Sequence, residues 1–171
     1  MENLLFILAT SFVLRLSTPR KFRSCFIGDT GCSVLVFAED KFDQTKTENG
    51  DDLYFYESTE EKVTYGIICI SMKETLGLDK ATLMLEHYIN KLKSPLQILH
   101  HTGIAPDEDW NTADSRTVTD YWQDRSKTDW KVKGYTNGRY IAVLYVKNIG
   151  QVAVNKQDLF LDSFHYNACL I

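Results

Sequence analysis

Two aspartates beside aromatic residues are the first place in this chain where the residue types could support chemistry. Asp120 and Asp124 bracket Tyr121-Trp122-Gln123, a combination that occurs in sugar sites. A glycoside hydrolase needs two carboxyl groups at a set separation, one acting as acid and the other as base or nucleophile. That pairing depends on partners in space that a sequence does not supply, so we do not expect a glycosidase on this evidence.

Acidic loops and histidines are the remaining candidates for chemistry. Carboxylates crowd residues 39–52 and again residues 107–109, but neither stretch has the spacing of an EF-hand calcium loop. His100 and His101 are adjacent, and neighbouring residues on a strand point to opposite faces, so one metal ion does not easily use both. No serine or cysteine lies in a nucleophile-elbow pattern. We therefore predict no metal site, no cofactor and no catalytic residue.

The four cysteines do not form a metal-binding pattern, because no CxxC pair and no zinc-type spacing is present. Cys69 lies in an apolar stretch that predicts a buried thiol. Cys25 and Cys32 flank residues 26–31 and could face each other across a turn. A bridge there requires an oxidising compartment, so free thiols are the favoured form and the bridge stays open as the alternative.

A face of mixed lysine and tyrosine near the C-terminus is the surface that we single out for binding. Lys131, Lys133, Tyr135 and Tyr140 fall on one face of two paired strands. Tyrosine supplies rigid amphipathic area, so these side chains can form a contact patch for a protein partner. The alternative is an ordinary solvated or helix-covered face, with the lysine stems lying over the tyrosines.

The elements that position these residues centre on a hairpin. Asn137-Gly138 is a strong signal for a two-residue turn, because a type I′ turn needs positive φ at both positions. With that pair as the loop, Trp130 lies opposite Tyr145 on an apolar face. We expect this face to be core, backed by the last helix.

The other elements follow from apolar periodicity and from the turn residues between them. Residues 116–123 form a strand before the hairpin, which completes a three-stranded antiparallel meander, and residues 40–52 and 101–114 are loops. The remaining predictions are strands at 12–17, 33–39, 53–57, 63–72 and 96–100, a helix capped by Asp79 and stopped at Ser94-Pro95, and a closing helix that follows Asn155 and Asp158 and buries Phe160, Leu161 and Phe164.

Length and composition limit the class of protein. The chain has 171 residues, 44% of them hydrophobic and 25% charged, which is typical of one globular domain and excludes wholesale disorder. A net charge of −4 argues against a broad nucleic-acid surface, which needs a clustered basic excess. We predict a single α+β domain over residues 1–171, an antiparallel sheet with helices packed on it as an α/β/α sandwich, and no nucleic-acid partner.

An apolar run at residues 4–14 bears on the compartment. It is too short to span a bilayer, so we predict no stable membrane span. It has the length of a signal-peptide core, but Glu2 precedes it and no lysine or arginine does, which is wrong for a secretory signal. We expect a cytoplasmic protein, and an exported one is the alternative if the run belongs to a signal peptide.

The order of elements resembles the PsbP-like superfamily, which includes the photosystem II protein PsbP, DcrB and the Mog-type Ran-binding proteins. The segment LSTPRKF at 16–22, leading into SVLVFAED at 33–40, is similar to the early strand of that family. The segment at 133–166, with its Ser163-Phe164 pair, is similar to the terminal hairpin and helix. The resemblance implies a fold used for scaffolding, for binding a small GTPase and for chaperoning secretion effectors, and it transfers no functional residue.

Together these observations favour a non-enzymatic protein-binding or scaffold domain whose partner the sequence does not name. The alternative is a small-molecule-binding protein or hydrolase with a site under the 102–114 loop, where Trp110 is the expected aromatic contact. A third hypothesis is a homo-oligomer assembled through an exposed sheet edge. We favour the absence of enzymatic activity and leave the question open.

Overall fold

The computed structural model describes residues 20–37, 41–151 and 154–166. Within them, the helices are α1 (Leu78–Lys93) and α2 (Val154–Leu161), with short 3₁₀ turns at Glu108–Trp110 and Ile149–Gln151. The strands are β1 (Phe22–Phe26), β2 (Cys32–Phe37), β3 (Asp43–Lys46), β4 (Asp52–Glu60), β5 (Val63–Ser71), β6 (Ile98–His101), β7 (Ala105–Pro106), β8 (Arg116–Asp124), β9 (Asp129–Thr136), β10 (Tyr140–Lys147) and β11 (His165–Tyr166).

An antiparallel eight-stranded sheet forms the middle layer of the molecule. Its strand order is β3-β4-β5-β10-β9-β8-β6, with β7 also paired to β8. Helix α1 packs on one face, and α2 packs on the other face together with a second sheet of order β1-β2-β11. The predicted α+β class, an antiparallel sheet with helices packed on it, is confirmed. The small second sheet was not anticipated.

The hairpin of β9 and β10 is present, but its register differs from the prediction. Trp130 lies opposite Lys147 and Val132 lies opposite Tyr145, so the pairing is displaced by two residues. Because side chains alternate along a strand, a displacement of two leaves every residue on its predicted face. Trp130 and Tyr145 are therefore both buried as expected, with ring centroids 5.6 Å apart.

A side-chain hydrogen bond explains the wider turn. The last paired residues of β9 and β10 before the turn are Thr136 and Ile141, so the loop between them is longer than the Asn-Gly pair alone. Asn137 Oδ1 accepts the two backbone N–H groups that follow Gly138, each at 3.0 Å, and Gly138 has a φ of +86°. An asparagine that bonds the backbone in this way builds its own turn and competes with the type I′ conformation.

The helix behind Trp130 is α1, which corrects the prediction that the last helix lies there. Leu85 and Ile89 of α1 are buried in the same cluster as Trp130. Gly134 allows this close approach, because a Cβ at that position would lie 2.9 Å from the Cδ1 atoms of both residues. Helix α2 instead covers the opposite face through Phe160, which is fully buried.

The remaining predicted elements are largely present. The strands at 53–57, 63–72 and 116–123, the first helix and the burial of Phe160, Leu161 and Phe164 are confirmed. Asp79 does not cap α1, because Gly77 is the N-cap residue and Asp79 lies in the first turn. Asn155 and Asp158 lie inside α2 instead of before it, since α2 begins at Val154. The predicted loops at 40–52 and 101–114 contain β3 and β7.

The thiols and the N-terminal segment complete the comparison. Cys69 is fully buried, and burial raises the pKa of its thiol. Cys25 lies opposite Val34 and carries a free thiol, so the bridge to Cys32 is not formed. The apolar run at 4–14 and the predicted strand at 12–17 lie outside the described residues. Among the described residues, neither helix has the length and apolarity needed to cross a bilayer.

Candidate functional site

Helix α1 buries one stripe of its side chains in the core, and a second stripe on its flank lines a groove. Its buried stripe consists of Ala81, Leu85 and Ile89. A second stripe, also at helical spacing, runs along one flank of the helix and consists of Asp79, Thr82, Leu83 and Glu86. These four side chains face the segment that connects β7 to β8.

The space between this flank and that segment is a groove of about 690 Å³. We call it the acidic groove. Its lining includes Asp79, Leu83 and Glu86 of α1, and Pro106, Glu108, Arg116 and Val118 of the opposite wall. Its volume falls within the range of about 300–1,000 Å³ that is common for ligand sites. The groove is therefore large enough to hold a ligand or a segment of a partner.

Apolar side chains provide contact area inside the acidic groove. Leu83 is 67% exposed although it lies on a helix whose other face is core. Pro106 is also exposed, and Val118 from β8 is buried beneath them. Leu83 and Pro106 together therefore offer an apolar contact at the rim of the groove.

Unpaired negative charge surrounds this apolar area. Asp79, Glu86 and Glu108 line the groove, and none of them forms an ion pair with a residue that the structure describes. Arg116 also lines it, but one guanidinium nitrogen donates to the backbone carbonyls of Thr112 and Ser115, at 2.7 and 3.0 Å. The groove therefore carries a net negative charge with its one arginine engaged in bracing the wall.

Hydrogen bonds to β8 hold the wall of the groove in place. The backbone N–H of Asp107 donates to the carbonyl of Thr117 at 2.9 Å, and the N–H of Thr117 donates to Asn111 Oδ1 at 2.8 Å. Residues Ala105 and Pro106 pair with β8 as a short strand. The predicted long loop is thus an ordered segment, which preorganises the acidic groove for binding.

A buried lysine on the other face of the sheet fixes the same segment. Lys133 Nζ lies 2.9 Å from Asp107 and 2.7 Å from Asp162, and its side chain is only 4% exposed. The ring of Trp110 covers it, with the centroid 4.2 Å from Nζ. We call Lys133, Asp107, Asp162 and Trp110 the Lys133 cluster. It ties β9, the wall of the groove and the end of α2 together.

The structure brings most of the predicted binding residues together on one face of the sheet, but α2 packs over that face. Lys131 Nζ lies 2.7 Å from Asp158 of α2. Tyr135 is buried, and its hydroxyl donates to the carbonyl of Leu161. Tyr140 packs against the same core cluster as Tyr135, and its hydroxyl donates to the carbonyl of Thr30 at 2.8 Å. This arrangement matches the helix-covered alternative for that face.

Trp110 belongs to this covered face and does not line the acidic groove. The predicted aromatic contact of a small-molecule site is therefore occupied with Lys133. Sequence reasoning also missed the acidic groove itself. The available signal was Leu83, an apolar residue at the centre of an otherwise polar stripe of α1.

Asp120 and Asp124, which bracket Tyr121-Trp122-Gln123, are both held by structural partners. Asp120 Oδ2 accepts the indole N–H of Trp122 at 2.7 Å and lies 3.0 Å from Lys93 Nζ. Asp124 Oδ2 accepts the indole N–H of Trp130 at 3.1 Å. Each carboxylate thus satisfies a buried tryptophan, which is a sufficient reason for its position.

Asp124 gives a prediction for the dependence of stability on pH. Burial works against its ionisation, but the backbone N–H of Thr128, the indole of Trp130 and the ammonium of Lys147 outweigh burial and lower its pKa below the ordinary 3.8. A carboxyl with a depressed native pKa stabilises the fold above its unfolded pKa, and that stabilisation is lost as the pH falls through the native pKa.

We expect Asp124→Asn to lower the free energy of unfolding by about 1–2 kcal/mol at neutral pH, because an amide nitrogen cannot accept the indole N–H. The difference from wild type should shrink as the pH falls below 3.8. Urea denaturation across pH measures it, with the exposed Asp43→Asn as the control that shows no such difference. A difference in the free energy of unfolding that stays constant down to strongly acidic pH would contradict this explanation.

Comparison with known proteins gives no match to any protein-family model or to any curated protein. The structural class is defined by the fold and the groove alone. The chain is an α+β domain whose middle sheet is covered on both faces and whose first helix borders an open, negatively charged groove.

Proposed function

We propose that this chain is a non-enzymatic protein-binding domain that holds an extended, basic segment of a partner in the acidic groove. The observation that carries the proposal is the combination at its rim. Three carboxylates that form no ion pair with a described residue, Asp79, Glu86 and Glu108, line the groove together with the exposed Leu83. An exposed apolar side chain within a field of one sign recognises a segment with both an apolar anchor and opposite charge.

The chemistry of the partner segment follows from these contacts. Leu83 and Pro106 offer an apolar contact for one leucine, methionine or aromatic side chain of the partner. Arginine or lysine on either side of that anchor would lie close to the carboxylates. Because the charges are at the rim, they should act mostly on the rate of association and on specificity, and salt should weaken binding.

The resemblance to the PsbP-like superfamily supports the same proposal from another direction. The functions of its members differ and include scaffolding, binding of a small GTPase and chaperoning, so the resemblance implies a fold used mainly for protein binding. The proposal does not depend on any residue of those proteins. It depends on the groove of this chain.

The second candidate function is a small-molecule-binding protein or hydrolase that uses the same groove. The observation that favours it is the volume of about 690 Å³ beside the segment after β7. A hydrolase would also need an activated nucleophile or water at the groove, and its lining offers carboxylates and threonines without a paired base. A peptide is therefore the better match to an open groove.

Selection from a phage-displayed library of random linear peptides tests the proposal. We expect the selected sequences to share one large apolar residue flanked by lysine or arginine. Failure to select any peptide, or selection of acidic ones, would contradict the proposal. Turnover of substrates in a hydrolase screen, lost on one polar substitution in the groove, would establish the second candidate instead.

A charge reversal in the groove provides the quantitative test. We expect Glu86→Lys to weaken binding of a selected peptide at least tenfold, about 1.4 kcal/mol, since it replaces attraction with repulsion at the rim. Fluorescence anisotropy at low and at high salt measures the affinity. The control is Asp43→Lys, which makes the same charge change on the exposed strand β3 and should leave binding within about twofold at physiological salt.

A further inference from the structure

We infer that the opposite flank of α1 carries a second binding site, which takes a small zwitterion with an apolar or aromatic body. A third stripe of the helix, at the same helical spacing, consists of Met84, His87, Tyr88 and Lys91. It faces Leu53 of β4 and Glu48 in the turn between β3 and β4. Between them is a cavity of about 410 Å³, which we call the Tyr88 cavity.

The shape of the Tyr88 cavity suits a small ligand. It is more enclosed than the acidic groove, and its volume falls within the common range for ligand sites. Leu53, Met84 and Tyr88 are all half-buried, so they give it an apolar interior that still opens to solvent. The flexible thioether of Met84 allows that interior to adapt to a bound ring.

A second cavity lengthens the site. This smaller cavity of about 220 Å³ adjoins the first, and both are lined by Asn49 and Met84. The rest of its lining is mixed, with two apolar and three charged residues: Met72, Leu76, Asp51, Lys73 and Glu74. The added space allows the body of the ligand to be larger than an aliphatic side chain, so an aromatic ring can be accommodated.

Charges of opposite sign stand at opposite walls of the Tyr88 cavity. Lys91 lies on α1, and Glu48 lies on the turn that faces the helix. Neither forms an ion pair with a described residue. Lys91 is thus available to a carboxylate of the ligand, and Glu48 to its ammonium group.

Polar groups with hydrogen-bonding capacity complete the site. The Tyr88 hydroxyl makes no hydrogen bond to a described residue, although the side chain is half-buried. Burial raises the pKa of Tyr88, and the negative charges of Asp51 and Glu48 raise it further. The hydroxyl therefore remains protonated and can donate a hydrogen bond to a neutral acceptor of the ligand, since the nearby negative charges of Asp51 and Glu48 disfavour a carboxylate beside it.

The wall that carries Glu48 is held by its own hydrogen bonds. The backbone N–H of Thr47 donates to the carbonyl of Asp51 at 2.9 Å, and the N–H of Gly50 donates to the carbonyl of Thr47 at 2.8 Å. Asp51 Oδ1 also accepts the backbone N–H of Lys73 at 2.9 Å. Because the turn is anchored to the end of β5, the cavity is formed before any ligand arrives.

Isothermal titration of the full chain with L-phenylalanine and L-tryptophan tests this inference. Phenethylamine, which lacks the carboxylate, and 3-phenylpropionate, which lacks the ammonium group, are the matched probes. We expect at least one of the amino acids to bind at least tenfold more tightly than either analogue. Absence of binding by both amino acids, or equal binding of the analogues, would overturn the inference.

Two variants assign the charges to the two walls. Lys91→Met should weaken binding of the amino acid about tenfold while leaving phenethylamine unchanged, and Glu48→Gln should do so while leaving 3-phenylpropionate unchanged. Lys80→Met, on an exposed part of α1 outside the cavity, is the matched control and should bind as wild type does. Circular dichroism confirms that each variant is folded. Binding that responds equally to all three variants would overturn the assignment.

Discussion

We expect Lys133→Met to lower the free energy of unfolding by about 2 kcal/mol, because it removes a buried ammonium group and leaves two partly exposed carboxylates without their common partner. Lys133 has two carboxylates within 3 Å, Asp107 at 2.9 Å and Asp162 at 2.7 Å. Methionine keeps the volume of the stem and removes only the ammonium group. The loss therefore reports on charge, and equilibrium unfolding in urea measures it.

Lys131→Met is the matched control, since the two lysines lie on the same face of β9. Lys131 has a single carboxylate partner, and its side chain is 24% exposed. A partly exposed pair contributes little, so we expect a loss below about 1 kcal/mol. Equal losses in the two variants would contradict the account of the Lys133 cluster.

The same substitution should loosen the wall of the acidic groove. Without Lys133 Nζ, Asp107 and Trp110 lose their contact with β9. We expect faster amide exchange at Asn111 and Thr117 in Lys133→Met, with exchange in β5 unchanged at concentrations where both variants are folded. Unchanged protection in the wall would show that the bonds to β8 are sufficient to hold it.

Gly66→Ala should be the most damaging small substitution, with a loss of about 3 kcal/mol in the free energy of unfolding. Gly66 lies opposite Tyr145, and a Cβ at this position would come within 2.4 Å of the ring of that tyrosine. The ring cannot move without cost, because it packs against the ring of Trp130 and its hydroxyl donates to Glu57. Thermal and urea unfolding measure the effect.

Gly77→Ala is the control for this prediction. It makes the same chemical change at the N-cap of α1, where a Cβ would meet no atom within 4 Å and φ is −62°. We expect a loss of at most about 1 kcal/mol, because glycine is preferred over alanine at an N-cap but no atom obstructs the added methyl group. A stable Gly66→Ala variant would show that the register of β5 on β10 differs from the one described.

The hairpin shows how far a sequence pattern reaches. The alternation of apolar residues placed Trp130 and Tyr145 on the core face, and they are there. The register was wrong by two residues, because the hydrogen bonds of Asn137 decide the turn. Periodicity determines the face of a residue, while the partner across the ladder depends on local bonds that the pattern does not contain.

Short exposed strands were missed for a related reason. All four residues of β3 are exposed, so its sequence Asp-Gln-Thr-Lys has no apolar alternation to detect. It is a strand because β4 offers it an edge to pair with. Likewise β7 consists of Ala105 and Pro106 and exists because β8 continues beyond β6. Such elements are properties of the assembled sheet.

The candidate sites were harder to predict than the fold. The spacing of Lys131, Lys133 and Tyr135 placed them on one face, as the structure has them. These side chains are covered because α2 packs over them and because Asp158 and Asp162 pair with the two lysines. No local sequence pattern predicts this packing. The acidic groove depends in turn on two segments that are separate in sequence, and only Leu83 on an exposed helix flank pointed to it.

Chemical-shift mapping of the ¹⁵N-labelled chain with a selected basic peptide tests the central claim most directly. The account predicts that the largest shifts occur at Thr82, Leu83 and Glu86 of α1 and at Val118 of β8, which all line the acidic groove. Shifts confined to the exposed edge strand β3, with the resonances of the groove unchanged, would contradict it.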